Sequence, residues 1–262
     1  MIDIHNHILP SVDDGAEDID ESIKMAKFYL KSGISRIIAT PHYIEGAWNS
    51  TKVENQKALE KLKISLDENK LDLEIYLGNE IYITMDILNY IEKGIVSTLN
   101  DSRYILIEFP MLDIPLYTEN IIYKLLLKGY IPIIAHPERC SRIIENPNIL
   151  YNFLMKGALA QLNLSSLVGG YGVKIKTTAE ILLKYRMIHF VSTDIHSKDD
   201  NFAEIESSLN ILKNIVDGET FNNITYLNPS KVIEDIGIEN YNPIKYQKRT
   251  KPSIFSLFFK TV

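Results

Sequence analysis

The opening segment MIDIHNHILPSVDDGA sets Asp3, His5, His7, Asp13 and Asp14 close together around a short apolar run. Comparable groups recur along the chain. ATPHY carries His42, GNEIY carries Glu80, IEFP carries Glu108, AHPER carries His136 and Arg139, NLSS carries Asn163, and STDIHS carries Asp194 and His196. Five of the six histidines belong to this set. A buried imidazole or carboxylate is costly without a partner, and several carboxylates sharing one cleft repel each other unless cations neutralise them. Mixed imidazole and carboxylate donors suit zinc, manganese or iron(II). There are more donors than one ion can use, so two or three ions are expected, with a carboxylate such as Glu80 bridging neighbours. Metals roughly 4 Å apart can share a water, lower its pKa and aim a hydroxide in line at phosphorus. Arg139, three residues past His136, is placed to grip a phosphate with its guanidinium fork. The competing role for Arg139 is a salt bridge to a rim acid such as Glu138.

Each of these groups ends a short apolar run. The runs are IDIH (2–5), SRIIAT (35–40), LEIYLG (73–78), YILIEF (104–109), IPIIAH (131–136), ALAQLN (158–163) and IHFVST (188–193). Near-continuous apolar runs of this length read as strands buried on both faces. Amphipathic segments lie between them. Ile19, Ile23, Ala26 and Leu30 recur at helical steps before Gly33, and the segments ending at Gly129 and Gly157 repeat the design. Seven strand–helix units predict parallel strands with helical crossovers. The expected architecture is a single distorted seven-stranded barrel of the (β/α)7 kind, resembling a TIM barrel, over residues 1–240. An open doubly wound sheet is the structural alternative. No GxGxxG follows the first strand, so nothing supports a dinucleotide site. In a parallel barrel the C-terminal strand ends converge on one face, where the sites of such folds lie.

The 262 residues suit one barrel, with 45% apolar and 24% charged residues. A net charge of −6 argues against a general nucleic-acid binder. The single cysteine, Cys140, cannot form an internal disulfide, which suits a reducing compartment. No secretory leader and no apolar run of membrane-spanning length is evident, so a cytoplasmic protein is expected. Residues 241–262 differ in character. They hold Lys245, Lys248, Arg249, Lys251 and Lys260, with Ile254, Phe255, Leu257, Phe258 and Phe259 after the basic cluster. Such a tail either straps onto the barrel or touches an anionic membrane surface or a partner.

DIHNHILPSVDDGA, TPH, GNEIY, NDSRYILIEFP, AHPER and STDIH together resemble the polymerase-and-histidinol-phosphatase (PHP) superfamily. More narrowly, they are similar to the metal-dependent tyrosine phosphatases of bacterial capsule and exopolysaccharide operons, the CpsB/CapC type. The resemblance implies a PHP-fold barrel with three divalent metal ions, manganese first, with iron or zinc as alternatives. It implies His5, His7, Glu80 and Asp194 for one ion, Glu80, Glu108 and His136 for a second, and Asp14, His42 and His196 for the third. Asp13 would support a ligand from behind, and Asp3 would orient a ligand histidine through its other ring nitrogen. Arg139 carries over as the catalytic, phosphate-binding arginine. Relatives have a second arginine after the DxH motif, where this chain reads SKDDNFAEI. Lys198 or Arg142 is the expected substitute, which makes Arg139, Arg142 and Lys198 the substrate-binding set. The implied partner is a phosphotyrosine protein, a bacterial tyrosine kinase that controls polysaccharide export.

Three other functions compete with this reading. A small-molecule phosphatase, such as one acting on histidinol phosphate, would keep the metals and change only the rim. A thiol-based tyrosine phosphatase needs an arginine six positions after its cysteine, and the residue there is Asn146. A non-catalytic metal-binding scaffold would not need the whole ligand set. Trp48 is a candidate cleft residue or a loop cover. GGYG (169–172) is a plain turn or a donor of backbone N–H groups to phosphate. His189 starts the last strand, away from the site, and is expected to be structural.

Overall fold

The computed structural model describes residues 1–197, 203–239 and 242–248. Among them nine strands are formed: β1 (Arg36–Ala39), β2 (His42–Ile44), β3 (Trp48–Asn49), β4 (Glu74–Leu77), β5 (Glu80–Tyr82), β6 (Tyr104–Glu108), β7 (Ile131–Ala135), β8 (Leu159–Asn163) and β9 (Phe190–Ser192). The larger sheet has the order β3-β2-β5-β6-β7-β8-β9, and β1 pairs with β4 in a second, two-stranded sheet. Every pairing is parallel except β2 with β3. Every residue of β6 and β8 is buried, the state that their continuous apolar character predicts. The chain is thus a mixed α/β protein built on parallel strands.

The helices are α1 (Ile19–Lys31), α2 (Lys52–Glu68), α3 (Ile87–Glu92), α4 (Thr118–Leu127), α5 (Ser141–Glu145), α6 (Asn148–Met155), α7 (Leu164–Val168), α8 (Val173–Lys184), α9 (Ala203–Ile215), α10 (Gly218–Asn222) and α11 (Asn228–Ile233). Their ends follow from local chemistry. The Asp18 carboxylate accepts from Glu21 N at 2.8 Å to start α1. Thr51 and Glu54 form a reciprocal capping box on α2. Gly33, Gly129 and Gly157, the expected stop signals, all adopt positive φ.

The distorted seven-stranded barrel expected from the sequence is met in its parallel α/β architecture but not in closure or strand count. Neither sheet closes, and the expected first strand, residues 2–5, contributes only an isolated bridge between Asp3 and Ile37. Side chains have taken the place of ladder bonds there. The Asp3 carboxylate accepts from the backbone N–H of both His5 and Thr193, at 3.3 and 3.2 Å. Asn6 donates its amide to Ile38 O at 3.0 Å, while its own N–H goes to Thr40 Oγ1 at 3.1 Å. Single backbone bonds complete the seam: Ile38 N to Asp3 O, Thr40 N to Asn6 O, Asp194 N to His5 O and His7 N to Ile195 O, all 2.8–2.9 Å. Pro41 has no N–H to give and separates β1 from β2. Both sheets and the N-terminal segment still enclose one inner cluster that includes Ile4, Ile38, Leu106, Ile133, Leu159 and Phe190. The site lies above it.

Part of the expected C-terminal tail is described. Residues 242–248 form a strap: Ile244 N donates to Tyr185 O at 2.8 Å, Tyr246 and Asn148 exchange two hydrogen bonds, and the Tyr246 ring meets Tyr185 edge-on at 5.1 Å. The rest of the basic-aromatic stretch lies outside the described residues. No helix among the described residues is long and apolar enough to cross a membrane.

Candidate metal centre

Strand register delivers the donors. His42 pairs with Glu80 across β2 and β5, and Glu80 with Leu106 across β5 and β6. Side chains alternate along a strand, so Glu108 stands above the inward-facing Tyr104 and Leu106, and Gln161 and Asn163 stand above Leu159. His136 is different. Ala135 faces inward, so a regular strand would turn His136 outward; a φ of 29° at His136 redirects it. Asp194 also has positive φ, 53°. Such conformations cost about 1–3 kcal/mol each and persist where surroundings impose them.

Eight of the nine predicted metal ligands are gathered with their polar atoms converging, and Asp14 meets them from the rim. Glu80 Oε2 lies 3.1 Å from His5 Nε2, 3.5 Å from His7 Nε2 and 3.0 Å from His42 Nδ1. Asp194 Oδ1 lies 3.1 Å from His5 Nε2 and 3.4 Å from His7 Nε2. His136 Nε2 is 2.9 Å from Glu80 Oε1 and 3.9 Å from Glu108 Oε1. Asp14 Oδ1, on a half-exposed side chain, is 3.6 Å from His42 Nε2 and 3.7 Å from His196 Nε2. Three sets have donor atoms close enough to share an ion: His5, His7, Glu80 and Asp194; His42, Glu80 and Glu108; and His7, Asp14, His42 and His196. The first is the expected quartet. Of the other two, one holds the expected Asp14, His42 and His196 and adds His7, whose ring stacks on His196 with centroids 3.9 Å apart, and the other has His42, whose Nδ1 turns to Glu80, where His136 was expected beside Glu80 and Glu108.

These donors suit metal better than one another. His42 Nδ1, Glu80 Oε2 and Asp194 Oδ1 are buried without a hydrogen-bond partner among the described residues, although each has a neighbour at 3.0–3.1 Å. Ligands about 2.0–2.2 Å from one ion are separated by about 3.0–3.5 Å, the spacing seen here. The remaining ring nitrogens are engaged elsewhere, which fixes the tautomers. His5 Nδ1 meets Gln161 Oε1 at 2.9 Å, His7 Nδ1 meets Asp13 Oδ2 at 2.7 Å, and His196 Nδ1 meets Asp194 O at 3.1 Å. Each leaves its Nε2 facing the cluster.

Charge makes the same point. Burial alone would push His5 down, but Glu80 and Asp194 outweigh it and hold its imidazole at about 9. His7 is raised well above its ordinary value against the same burial, chiefly by Asp13. Glu80 and Asp194 are held well below the carboxylate range despite burial, each first by His5. Glu108 is pushed up to about 7 by burial and by the Glu80 charge. Without cations, protons on His5, His7 and His42 would do the neutralising, while burial and the neighbouring His7 hold His196 down.

The supporting groups differ in part from expectation. Asp13 backs His7 and also accepts from His42 N at 2.8 Å, as the sequence suggested. Asp3 touches no ring nitrogen; its carboxylate meets Tyr29 OH at 2.9 Å, Thr193 Oγ1 at 2.5 Å and the two backbone N–H groups of the seam. Gln161, which the sequence reading passed over, holds His5 instead. Its signal was a polar residue in mid-strand two positions before Asn163. Asn163 donates to Asp194 Oδ2 at 2.6 Å and receives Gln161 Nε2 at 2.9 Å.

Arg139 does not pair with Glu138. Its Nη1 donates to Asp194 Oδ2 at 2.9 Å, and its guanidinium lies 4.5 Å from the centroid of the Tyr171 ring. Glu138 is buried and accepts from Asn163 N and Ser166 Oγ. A cavity of about 490 Å³ opens beside Arg139, Asp194 and His196 and is lined also by Gly170 and Tyr171, so GGYG belongs to the rim. Arg142 is exposed and paired with Asp113 and Glu145, and does not line this cavity. Lys198 lies outside the described residues. Trp48 sits exposed on β3. His189 is structural as expected, fully buried, with Nδ1 accepting from Ala160 N at 3.2 Å.

A buried knot of imidazoles and carboxylates at the ends of parallel strands defines an α/β protein of the metal-dependent hydrolase class. Its fold is shared with histidinol phosphate phosphatase from Lactococcus lactis, at TM-score 0.53 and 16% identity over 82% of this chain and 93% of that one. The family described as capsular polysaccharide synthesis, CpsB/CapC, matches residues 1–234, and the chain belongs to it. Tyrosine-protein phosphatase YwqE of Bacillus subtilis (strain 168) is 43% identical over 208 residues, covering 79% of this chain and 82% of that protein. A chain from the crystal structures of YwqE and of CpsB from Streptococcus pneumoniae, described as unique metal-dependent tyrosine phosphatases, superposes with TM-score 0.90 at 37% identity, covering 95% of this chain and all of that one.

Proposed function

We propose that this chain is a metal-dependent protein tyrosine phosphatase acting on a phosphotyrosine protein, in particular a bacterial tyrosine kinase controlling capsule or exopolysaccharide synthesis. The observation that carries the reading is the set of buried, unpartnered donor atoms of His42, Glu80 and Asp194 facing the Nε2 atoms of His5 and His7. His5, His7, Glu80 and Asp194 would hold one divalent cation. Glu80 and Glu108 would hold a second, with His136 and His42 both in reach, and Asp14, His42 and His196 a third. Manganese leads the candidates on the family resemblance, with iron and zinc as alternatives; the absence of thiolates among the donors gives zinc no special advantage. Such cations supply Lewis acidity, water activation at neutral pH and charge neutralisation at phosphate.

The chain's own residues do the rest. Asp13 and Gln161 hold His7 and His5 in one tautomer. Arg139 spends one of its five N–H donors on Asp194 and keeps the others for phosphate oxygens. Asn163 shares Asp194 Oδ2 with Arg139, which ties the phosphate-gripping group to the ligand cluster. The catalytic unit is assigned to residues 1–240, with 241–262 as an appended segment. The location proposed is cytoplasmic, with that segment able to meet an anionic membrane surface. The likeness to histidinol phosphate phosphatase supports the fold alone.

Hydrolysis of a phosphotyrosine peptide is the test, with purified protein before and after exhaustive chelation and after manganese is restored. Activity that needs manganese is the expected result. Turnover that survives chelation, or no turnover of the peptide with metal bound, overturns the reading.

A further inference from the structure

The cavity next to Arg139 has a composition that phosphate alone does not require. Besides Arg139, Asp194 and His196 its lining holds the polar Ser165, Thr193, Glu204 and Ser208. One part of the wall is apolar: Leu164, Ile195 and Ile205, all nearly inaccessible to solvent. A phosphate needs cations and N–H donors; apolar walls serve a group that is itself apolar. The aromatic component is Tyr171, which stays 39% exposed although it is one of the larger side chains. The turn around it is built to hold it there. Gly169 and Gly172 adopt φ of +90° and +96°, conformations that other residues rarely accept, and a Cβ on Gly170 would press on Ser165 O at 3.3 Å. Gly170 N and Gly172 N are bonded back to Ser165 O and Gly169 O. The Tyr171 ring therefore lies over the Arg139 guanidinium on a turn that no other residue pattern would reproduce cheaply.

We propose that this cavity receives the aromatic ring of the substrate's phosphoester, and that Tyr171 is the residue that sets the preference for aryl over alkyl phosphates. The inference rests on the phosphatase reading above and deepens it. Phosphate oxygens at the free edge of Arg139 and beside His196 leave the ester oxygen directed toward the apolar walls. A tyrosyl ring fills that space and meets the Tyr171 ring in an offset or edge-on arrangement. A serine or glycerol ester is too short to cover the walls. Tyr171 has a second effect through Arg139, because stacking on one face restricts the orientation of the planar guanidinium and keeps its edge donors aimed at the phosphate.

Steady-state kinetics of the manganese-loaded full chain test this with two substrates, a phosphotyrosine peptide and glycerol phosphate. For Tyr171→Ala, kcat/KM on the peptide is expected to fall about tenfold more than on glycerol phosphate, mainly through KM. Tyr171→Phe, which keeps the ring, is expected to recover most of that loss. Metal content and thermal unfolding of both variants serve as the check on folding. A second variant, Ser165→Phe, fills the cavity from its α7 wall and is expected to weaken peptide turnover more than glycerol phosphate turnover. Equal losses on both substrates in Tyr171→Ala, or no selective loss in either variant, overturn the aryl-pocket assignment while leaving the phosphatase reading intact. A wild-type chain that turns over glycerol phosphate but no phosphotyrosine peptide overturns both.

Discussion

Gln161 makes no direct contribution to the converging donor atoms, yet it decides which nitrogen of His5 faces them. Its carbonyl oxygen accepts a hydrogen bond from His5 Nδ1 at 2.9 Å, and its amide is anchored on Asn163. Removing such a partner usually lowers metal affinity about 10–100-fold. Gln161→Leu is expected to weaken manganese binding by that factor in a calorimetric titration, with Gln161→Glu retaining more of it; unchanged affinity in Gln161→Leu would show that the second bond of His5 is idle. Arg139 acts differently. Arg139→Ala is expected to keep its metal by elemental analysis and to lose about a hundredfold in rate, the scale for losing one charge-stabilising donor. Metal loss in that variant would mean that Arg139 serves Asp194 rather than substrate.

At the scale of elements, Gly15 shows how closely the opening loop is folded back on the site. A Cβ there would stand 2.2 Å from His7 O and 2.5 Å from His7 Cβ. Gly15→Ala is expected to displace His7, cost about 1–3 kcal/mol as overpacking does, and lower metal occupancy; a variant with wild-type melting temperature and full metal content would contradict this. Glu108, His136, Asp194 and His196 were legible in the sequence because each closes or follows an apolar run, whereas His42 and Glu80, expected at the ends of the runs 35–40 and 73–78, instead open the separate strands β2 and β5. The seam was not legible. Asp3 and Asn6 look like ordinary strand residues, and nothing in their spacing says that their side chains replace ladder bonds. Gln161 was passed over because it lies inside the run 158–163 and not at its end, where Asn163 stands, and the pairing of Arg142 with Asp113 and Glu145 is not announced by its place beside AHPER. His136 was found by its motif, while the positive φ that aims it could not be read from residue types.

For the whole molecule, the cluster couples stability to pH and to metal. His5 has a folded value of about 9, above its ordinary 6.5. Its contribution in the metal-free protein is complete below 6.5 and lost as pH rises through about 9. Glu80 and Asp194 are depressed; their contribution is present above their ordinary values of 4.5 and 3.8 and lost as pH falls below them. Metal-free protein is therefore expected to melt highest between about pH 5 and 8, and melting curves that rise steadily above pH 9 would contradict the assignment. Cation binding at pH 7 must drive protons off His5 and His7, so titration enthalpies are expected to vary with the ionisation heat of the buffer; independence from buffer would show the imidazoles to be neutral beforehand.

The open seam has one more consequence. His42 and Glu80 belong to one flank of the large sheet, Asp194 and His196 follow its opposite edge strand, and His5 and His7 come from the segment lodged between the two. A shared cation would rivet three pieces of wall that the backbone alone only bastes together. Stripping the metal should then loosen the wall itself, so that amide deuteration accelerates first at residues 2–7 and 193–195 while the centre of the sheet, β6 to β8, stays shut.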